Sequence, residues 1–417
     1  MEAEVLVIGA GLAGLNAART LERAGVVPLV VDAADAVGGR LRTDGVDGFR
    51  VDRGFQVLNP AYPALREAVD VPRLALGPFG RGMAVRTASG LTVLADPTRS
   101  PLSVGSLLKT ALADAAGARA LTAWLLPAFR GRDVLAALPD AALSASLDDA
   151  GVHGPLRTEV LEPFLAGVLA DADGATSAAF ARWLVHWFVR GTPGLPAQGM
   201  AAVPAQLRAG LRAEVRLGVR VDALERTSSG WLASTDGGPL TASAVVVAAG
   251  PAASARLAGR PVPRLRGLAT WWLAPDEAPT DSRFLLVDGE RRGPIVNTVV
   301  ISNAQPSYAP AGRHLVQAST LLPGEGNGDG PSEADVRAHL GVLYGRPATD
   351  WPVLAVHRLP HALPAIEPGG WRRVERPEHR LVVAGDAHDA SIQGALESGR
   401  DAARLLLAAL GRGAGAA

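Results

Sequence analysis

The chain has 417 residues, 48% of them hydrophobic and 20% charged, a globular composition able to bury a large core, with a length suited to about two to three domains. Forty-one basic residues balance forty-one acidic ones, which leaves no electrostatic footprint for nucleic acid. There is no cysteine, so disulfides, thiolate metal sites, a cysteine nucleophile and a cysteinyl-linked cofactor are all excluded.

In chain order, Val5 to Ile8 is a short β-branched and apolar run, the pattern of a strand buried on both faces. It starts so early that no signal peptide is expected. Gly9, Gly11 and Gly14 follow in GxGxxG spacing. The first allows a tight turn, the second lets a pyrophosphate approach the backbone, and the third lets the next helix pack on the strand. Leu12, Leu15, Ala18 and Leu21 recur at helical spacing up to Ala24, and Gly25 stops the helix. Val26 to Val31 is a second strand, closed by Asp32. That carboxylate lies where ribose hydroxyls are accepted in a dinucleotide fold.

Gly38, Gly39 and Arg40 come directly after, a second permissive backbone with a fixed cation. A nicotinamide site does not need this second element, and it points to FAD. GAGLAG, Asp32 and VGGR together resemble the superfamily of flavin-dependent amine oxidases, phytoene desaturases and protoporphyrinogen oxidases. In VDRGFQVLNPAYP, the resemblance implies that Gly54, Phe55, Gln56 and Val57 border the flavin ring.

From Thr87 to Gly199 the texture becomes helical, with Leu107, Leu108, Ala111 and Ala115 and then Trp124, Leu125 and Phe129. This resembles the substrate cap of such enzymes. Ala181 to Arg190 gathers Trp183, Trp187, Phe188 and His186, either a buried helix with one satisfied histidine or the lining of an apolar substrate tunnel. Pro101 to Phe129 could lie on a membrane surface, although its polar face is small and poor in cations. A cytoplasmic protein with peripheral membrane contact left open is the resulting expectation, since no apolar run reaches the roughly 18 residues of a span.

Leu195 to Leu211 leads back to the cofactor domain, with Gln198 where relatives usually carry a glycine. Strands are expected at Val219–Leu224, Trp231–Thr235 and Ala244–Ala249. The resemblance places Val221 where the backbone meets adenine. From Pro261 to Arg376 the strand candidates suit an antiparallel floor under a pocket, with a glycine-rich loop at Gly324–Gly330 and a helix begun by Ser332 and Asp335. His357, His361 and Glu367 match no ligand spacing, so no metal is expected.

The closing stretch LVVAGDAHDASIQGALESGRDAARLLLAAL reads as strand, turn and helix. The resemblance implies that Gly385 and Asp386 serve the ribityl–phosphate region. It also implies that the backbone of Ile392, Gln393, Gly394 and Ala395 faces the flavin N1–C2=O edge. A helix N-terminus there stabilises the negative charge that two-electron reduction places on that edge.

The expected fold is α/β, a Rossmann-like FAD-binding domain of the glutathione-reductase type with an inserted α+β substrate domain. The cofactor domain takes residues 1–86, 200–260 and 377–417. The insertion has a helical part, 87–199, and a sheet part, 261–376. FAD is expected to be non-covalent, given no cysteine and no motif for a histidyl link.

Members of the amine oxidase branch place a lysine near flavin N5 and an aromatic before the final helix. This chain has no lysine around Thr270 to Leu273, since Lys109 is its only one, and has Ser391 at the second position. Phe164, Trp183, Trp187, Trp271 and Trp272 are the pocket candidates. The reading is therefore a desaturase-like or dehydrogenase-like oxidoreductase whose partner is a small hydrophobic, even isoprenoid, substrate. A flavin amine oxidase is the alternative. A non-enzymatic module like the GDP-dissociation inhibitors is the third, against which the intact cofactor motifs argue. No catalytic side chain is singled out, and neither the oligomeric state nor the electron acceptor is written in the sequence.

Overall fold

The computed structural model describes residues 3–95, 114–323, 328–372 and 376–412. Leu107, Leu108, Lys109, Ala111, the first part of the Pro101–Phe129 segment and the start of the Gly324–Gly330 loop lie outside them.

The Ala3–Ile8 strand is central to a seven-stranded sheet, parallel to both Leu29–Asp32 and Leu240–Val247. Val5 and Val7 enter one core and Leu6 and Ile8 the other, as a doubly buried strand requires. Leu240–Val247 is shared along its length. Its first half pairs antiparallel with Gly230–Thr235, and its second half pairs parallel with Leu381–Val383. Glu214–Leu217 closes the other edge beside Leu29–Asp32. The helices Leu12–Arg23 and Ile392–Ala409 pack together on one face, where Asn16 Nδ2 donates to Leu396 O at 2.7 Å. A side chain at Gly399 would strike Ala13 O, so the two helices approach backbone to backbone. The two ends of the chain are thereby locked on one sheet.

A second seven-stranded sheet is built around Leu265–Leu273, flanked by Val316–Leu322 and Val353–Pro364. Its composition differs from the expected boundaries. Gly82–Thr87 pairs parallel with Leu285–Asp288 and forms a hairpin with Gly90–Ala95. The substrate sheet thus recruits strands from before residue 87, and the expected helical piece opens with a strand. The alternation in MAVRT and LTVLA around Ser89–Gly90 carried that signal. The described helical part then runs from Ala115–Arg130 to Ala178–Arg190 and holds its own core, with Trp124, Leu147, Leu165, Phe180 and Trp183.

One face of the second sheet is covered by Glu333–Tyr344, whose N-terminus carries the reciprocal Ser332–Asp335 cap expected from sequence. The other face turns to the cofactor domain. Because side chains alternate along a strand, Trp271 and Trp272 fall on opposite faces. Trp271 packs with Val336, Leu340 and Leu343 under the helix, whereas Trp272 joins the core shared with the cofactor domain. Trp271 is therefore no pocket residue, a correction that strand periodicity explains.

Candidate functional site: a dinucleotide cradle and an aromatic corner

The glycine loop is built for two close approaches and one opening. Gly9 has φ +109°, and a Cβ there would strike Ala248 O. A Cβ on Gly14 would strike Gly9 O. Gly11 is different, because a Cβ built on it meets only Gly39 Cα, at 4.0 Å. The two glycine segments are joined by a Gly11–Gly38 bridge and by Gly38 N–H donating to Ala10 O at 2.8 Å. Gly11 is also the N-cap of the Leu12–Arg23 helix and brings no side chain to satisfy its first amides. An open glycine cradle on an uncapped helix N-terminus has the geometry that suits a pyrophosphate.

Asp32 stands at the end of the second strand. Its Oδ2 accepts from Ala10 N–H at 2.6 Å and its Oδ1 from Ala34 N–H at 2.8 Å. The acid thus fixes the glycine loop and keeps lone pairs for ribose hydroxyls. Val219 N–H donates to Asp32 O at 2.9 Å, which brings the start of Val221–Thr227 alongside. Val221 heads that strand with its side chain half-buried.

Arg40 and Asp386, expected to serve neighbouring parts of the cofactor, are bonded to each other at 2.5 Å. Arg40 also donates to Ala362 O at 2.8 Å. One guanidinium therefore ties the early loop, the Val353–Pro364 strand and the closing stretch, where Gly385 N–H donates to Ser398 Oγ at 3.0 Å. Gly54 is pressed against Leu359, leaving no room for a side chain. Phe55 meets Phe79 edge-on at 6.1 Å, Val57 is half-buried, and Gln56 Nε2 donates to Arg53 O at 3.0 Å. Underneath lies buried Asp52, which accepts from Thr43 Oγ1 at 2.5 Å, Tyr308 Oη at 2.7 Å and Met200 N–H at 3.0 Å. Burial pushes its carboxyl above the ordinary range. Its carbonyl meets His357 Nδ1 at 3.1 Å, so this histidine supports the loop. Gln198 turns outward and accepts from Arg50 at 2.9 Å.

Ser391 caps the final helix, Oγ accepting from Gly394 N–H at 2.9 Å. Gln393 is buried, its Oε1 held by Ala64 N–H at 3.0 Å and its Nε2 by Glu397 at 2.7 Å, so only its backbone can face a cofactor. Ile392 and Ala395 pack against the core, which leaves the first-turn backbone as the polar surface here.

Beside this helix end lies an aromatic corner. Trp183 stacks on His186 at 4.7 Å and meets Trp187 at 5.2 Å and Trp371 at 5.9 Å. Trp187 also meets Tyr62 at 5.6 Å and so joins the helical core to the cofactor domain. Phe164 pairs with Phe188 at 5.2 Å, further along the same cap. Burial lowers the His186 pKa, which keeps the ring neutral. A small cavity of about 10 Å³, room for about one water, is lined by Thr176 together with Val168, Phe180, Leu363, Ile366 and Ala390, next to Ser391. Sequence reasoning did not find Asp389, Arg132 and Trp371, which meet here. Nothing in the order of residues marks Asp389 as buried.

The sequence model of the flavin containing amine oxidoreductases matches residues 12–407. The chain belongs to this family. Its cofactor is FAD, and the cradle at Gly11, the acid Asp32 and the two helix N-termini fit that group. Among curated proteins, putrescine oxidase of Kocuria rosea is 46% identical over 70 residues, which is 17% of this chain and 15% of that protein. The 15-cis-phytoene desaturase of Narcissus pseudonarcissus is 39% identical over 61 residues, 14% of this chain and 11% of that protein. These alignments span well under two thirds of either relative. Across the whole fold, wild-type putrescine oxidase bound to putrescine superposes with a TM-score of 0.69 at 19% identity, covering 98% of this chain and 99% of that one. The flavoprotein is thus an FAD-dependent oxidoreductase on the amine oxidase fold.

Proposed function

We propose that this enzyme dehydrogenates a small apolar substrate, desaturase-like, rather than an amine. Bound FAD would supply an acceptor for a hydride equivalent at N5, chemistry that often needs no protein acid or base. The chain's own residues bind and orient. Trp183 and Trp187 border the substrate beside Ser391, and Trp272 contributes from the sheet face. The observation that carries this reading is the Leu265–Leu273 strand. Its face towards the cofactor domain bears Leu268, Thr270 and Trp272, and the arginine at its start, Arg266, is paired with Asp171 at 2.8 Å. An amine oxidase of this family would place a lysine there.

Peripheral membrane contact and a cytoplasmic location remain part of the proposal, consistent with an apolar substrate. Among the described residues no helix is long and apolar enough to cross a membrane. The test is anaerobic stopped-flow reduction of the bound flavin by a panel of isoprenoids, porphyrinogens, primary amines and polyamines. Bleaching by a hydrophobic reduced compound and not by amines is expected. Fast bleaching by any simple amine overturns the reading in favour of amine oxidation.

A further inference from the structure

Asp389 sits two residues before the cap of the final helix and is 7% exposed. Its Oδ1 accepts from Ser391 Oγ at 2.5 Å, and the same Ser391 Oγ accepts from Gly394 N–H at 2.9 Å. A short hydrogen-bonded chain therefore runs from the acid to the helix N-terminus. The Oδ2 atom is buried with no hydrogen bond of normal length and meets Arg132 only at 3.5 Å, while the Trp371 ring N–H lies near enough to the carboxyl to oppose its protonation without outweighing burial. Arg132 gives its closer contact to Glu397, at 2.6 Å, and lies between the Trp183 and Trp371 rings at 5.7 and 5.8 Å. Two carboxylates thus share one guanidinium in a desolvated corner, and the worse-placed one is the natural holder of a proton.

The groups facing Asp389 come from every neighbouring element. Arg132 begins the Arg132–Ala136 helix, Glu397 lies one turn along the final helix, and Tyr62 precedes Pro63–Ala68. His186 stacks behind Trp183, and Arg372, beside Trp371, gives its charge to Asp133 at 2.6 Å. None supplies a second close cation.

We propose that Asp389 is a positioning residue whose proton sets the field at the amino end of the final helix, and thereby the reduction potential of the bound flavin and its pH response. The sign follows from charge. A neutral Asp389 leaves the helix N-terminus free to stabilise the negative charge that reduction brings. An ionised Asp389 opposes that charge, and reduction in turn favours proton uptake by the acid. Burial raises its pKa to about 6, so the change falls in an accessible range.

The experiment is dye-equilibrated potentiometry of the holoenzyme from pH 5 to 8, comparing the native protein with Asp389→Asn. In the native protein the potential should fall more steeply above about pH 6. Asp389→Asn should lose that extra slope and hold a higher potential at pH 8, while matching the native protein at pH 5. Glu397→Gln frees Arg132 for Asp389, so the steepening should move to lower pH. This second variant decides the matter if Asp389→Asn does not hold flavin. Superimposable pH curves for the native protein and either folded variant would overturn the proposal. Because the readout is the potential of the bound flavin, it is independent of substrate class.

Discussion

The cofactor half and the substrate half satisfy their buried polar groups differently. In the cofactor half, Asp32 is held by two backbone amides, Asp52 by one amide and two hydroxyls, Gln393 by one amide and Glu397, and Asp386 by Arg40. On the substrate side, the ring nitrogens Trp183 Nε1, Trp187 Nε1, Trp371 Nε1 and His186 Nδ1 are buried without a partner. So are Thr270 Oγ1, Trp272 Nε1, Asn297 Oδ1 and Gln317 Oε1 on the sheet. The cofactor half adds only Gln56 Oε1, Ser254 Oγ and, at the border, Asp389 Oδ2 among the described residues. Buried polar atoms are normally paired, so such a concentration marks where a ligand or water completes the structure. On the proposed reading, the cofactor is met largely by backbone and the substrate by side chains.

The largest effect should come from the glycine loop. Gly9→Ala forces a side chain into Ala248 O at a positive φ, so apoprotein stability should fall by about 3 kcal/mol or more. Gly11→Val meets open space, so the apoprotein should melt within a few degrees of the native chain while FAD binding is lost. Denaturant titration of the apoprotein and flavin content after purification separate the two. Loss of folding in Gly11→Val would show that the cradle is structural and not a phosphate site.

Next in size is Asp32. Removing a carboxylate that holds two amides and keeps lone pairs for ribose should cost about 1.5–3 kcal/mol of FAD affinity, roughly ten- to a hundredfold. Asp35→Ala is the control, since Asp35 is exposed and pairs with Arg42 at 2.9 Å. Fluorescence titration with FAD should distinguish them. Equal affinities would refute the assignment of the acid.

These anchors were legible in the sequence because they depend on backbone geometry. Glycines, a cap and an acid at fixed offsets leave their mark in the order of residues, as at Gly9, Gly11, Asp32 and Gly394. The aromatic corner depends on which surfaces meet after folding. Trp371 and Arg132, far apart in the chain, share Trp183 through tertiary packing alone, and no spacing records that. Arg40 and Asp386 were both found, but not that they bind each other across 346 positions. The hairpin at residues 82–95 was readable from its alternation, but its parallel partner Leu285–Asp288 was not.

A smaller effect separates the halves by pH. His339 accepts Ile295 N–H on Nδ1 at 3.0 Å and meets Asp288 through Nε2 at 2.9 Å, so the neutral ring must carry its proton on Nε2. Burial lowers the His339 pKa. The stability it contributes is therefore present above the ordinary histidine pKa and lost as pH falls below it, because the unfolded chain takes up the proton first. Asp288 is held down to about 2 by Arg292 and His339 against its burial, and its contribution is lost between about pH 4 and that value. Asp389 behaves oppositely, its contribution being present below the ordinary aspartate range and lost as pH rises through about 6. His339→Gln should flatten the acid limb of a melting-temperature profile, and Asp389→Asn should remove the fall that Asp389 imposes as pH rises from about 4 to about 6. An unchanged acid limb in His339→Gln would place its source elsewhere.

The finest test uses two adjacent tryptophans on opposite faces of one strand. Trp271 packs under the Glu333–Tyr344 helix and makes only a long contact to Thr320 Oγ1, at 3.4 Å. Trp271→Phe should cost about 1–3 kcal/mol through lost packing and leave flavin reduction by substrate untouched. Trp272 is fully buried on the other face, with an N–H that finds no partner. Trp272→Phe loses packing but also deletes that unpaired donor, so its cost in apoprotein stability should be the smaller of the two. Its effect on substrate-driven flavin bleaching should instead be measurable, about tenfold or less. If Trp271→Phe slows bleaching and Trp272→Phe does not, the substrate enters from the helix-covered face, and the division between a backbone-read cofactor and a side-chain-read substrate fails on this sheet.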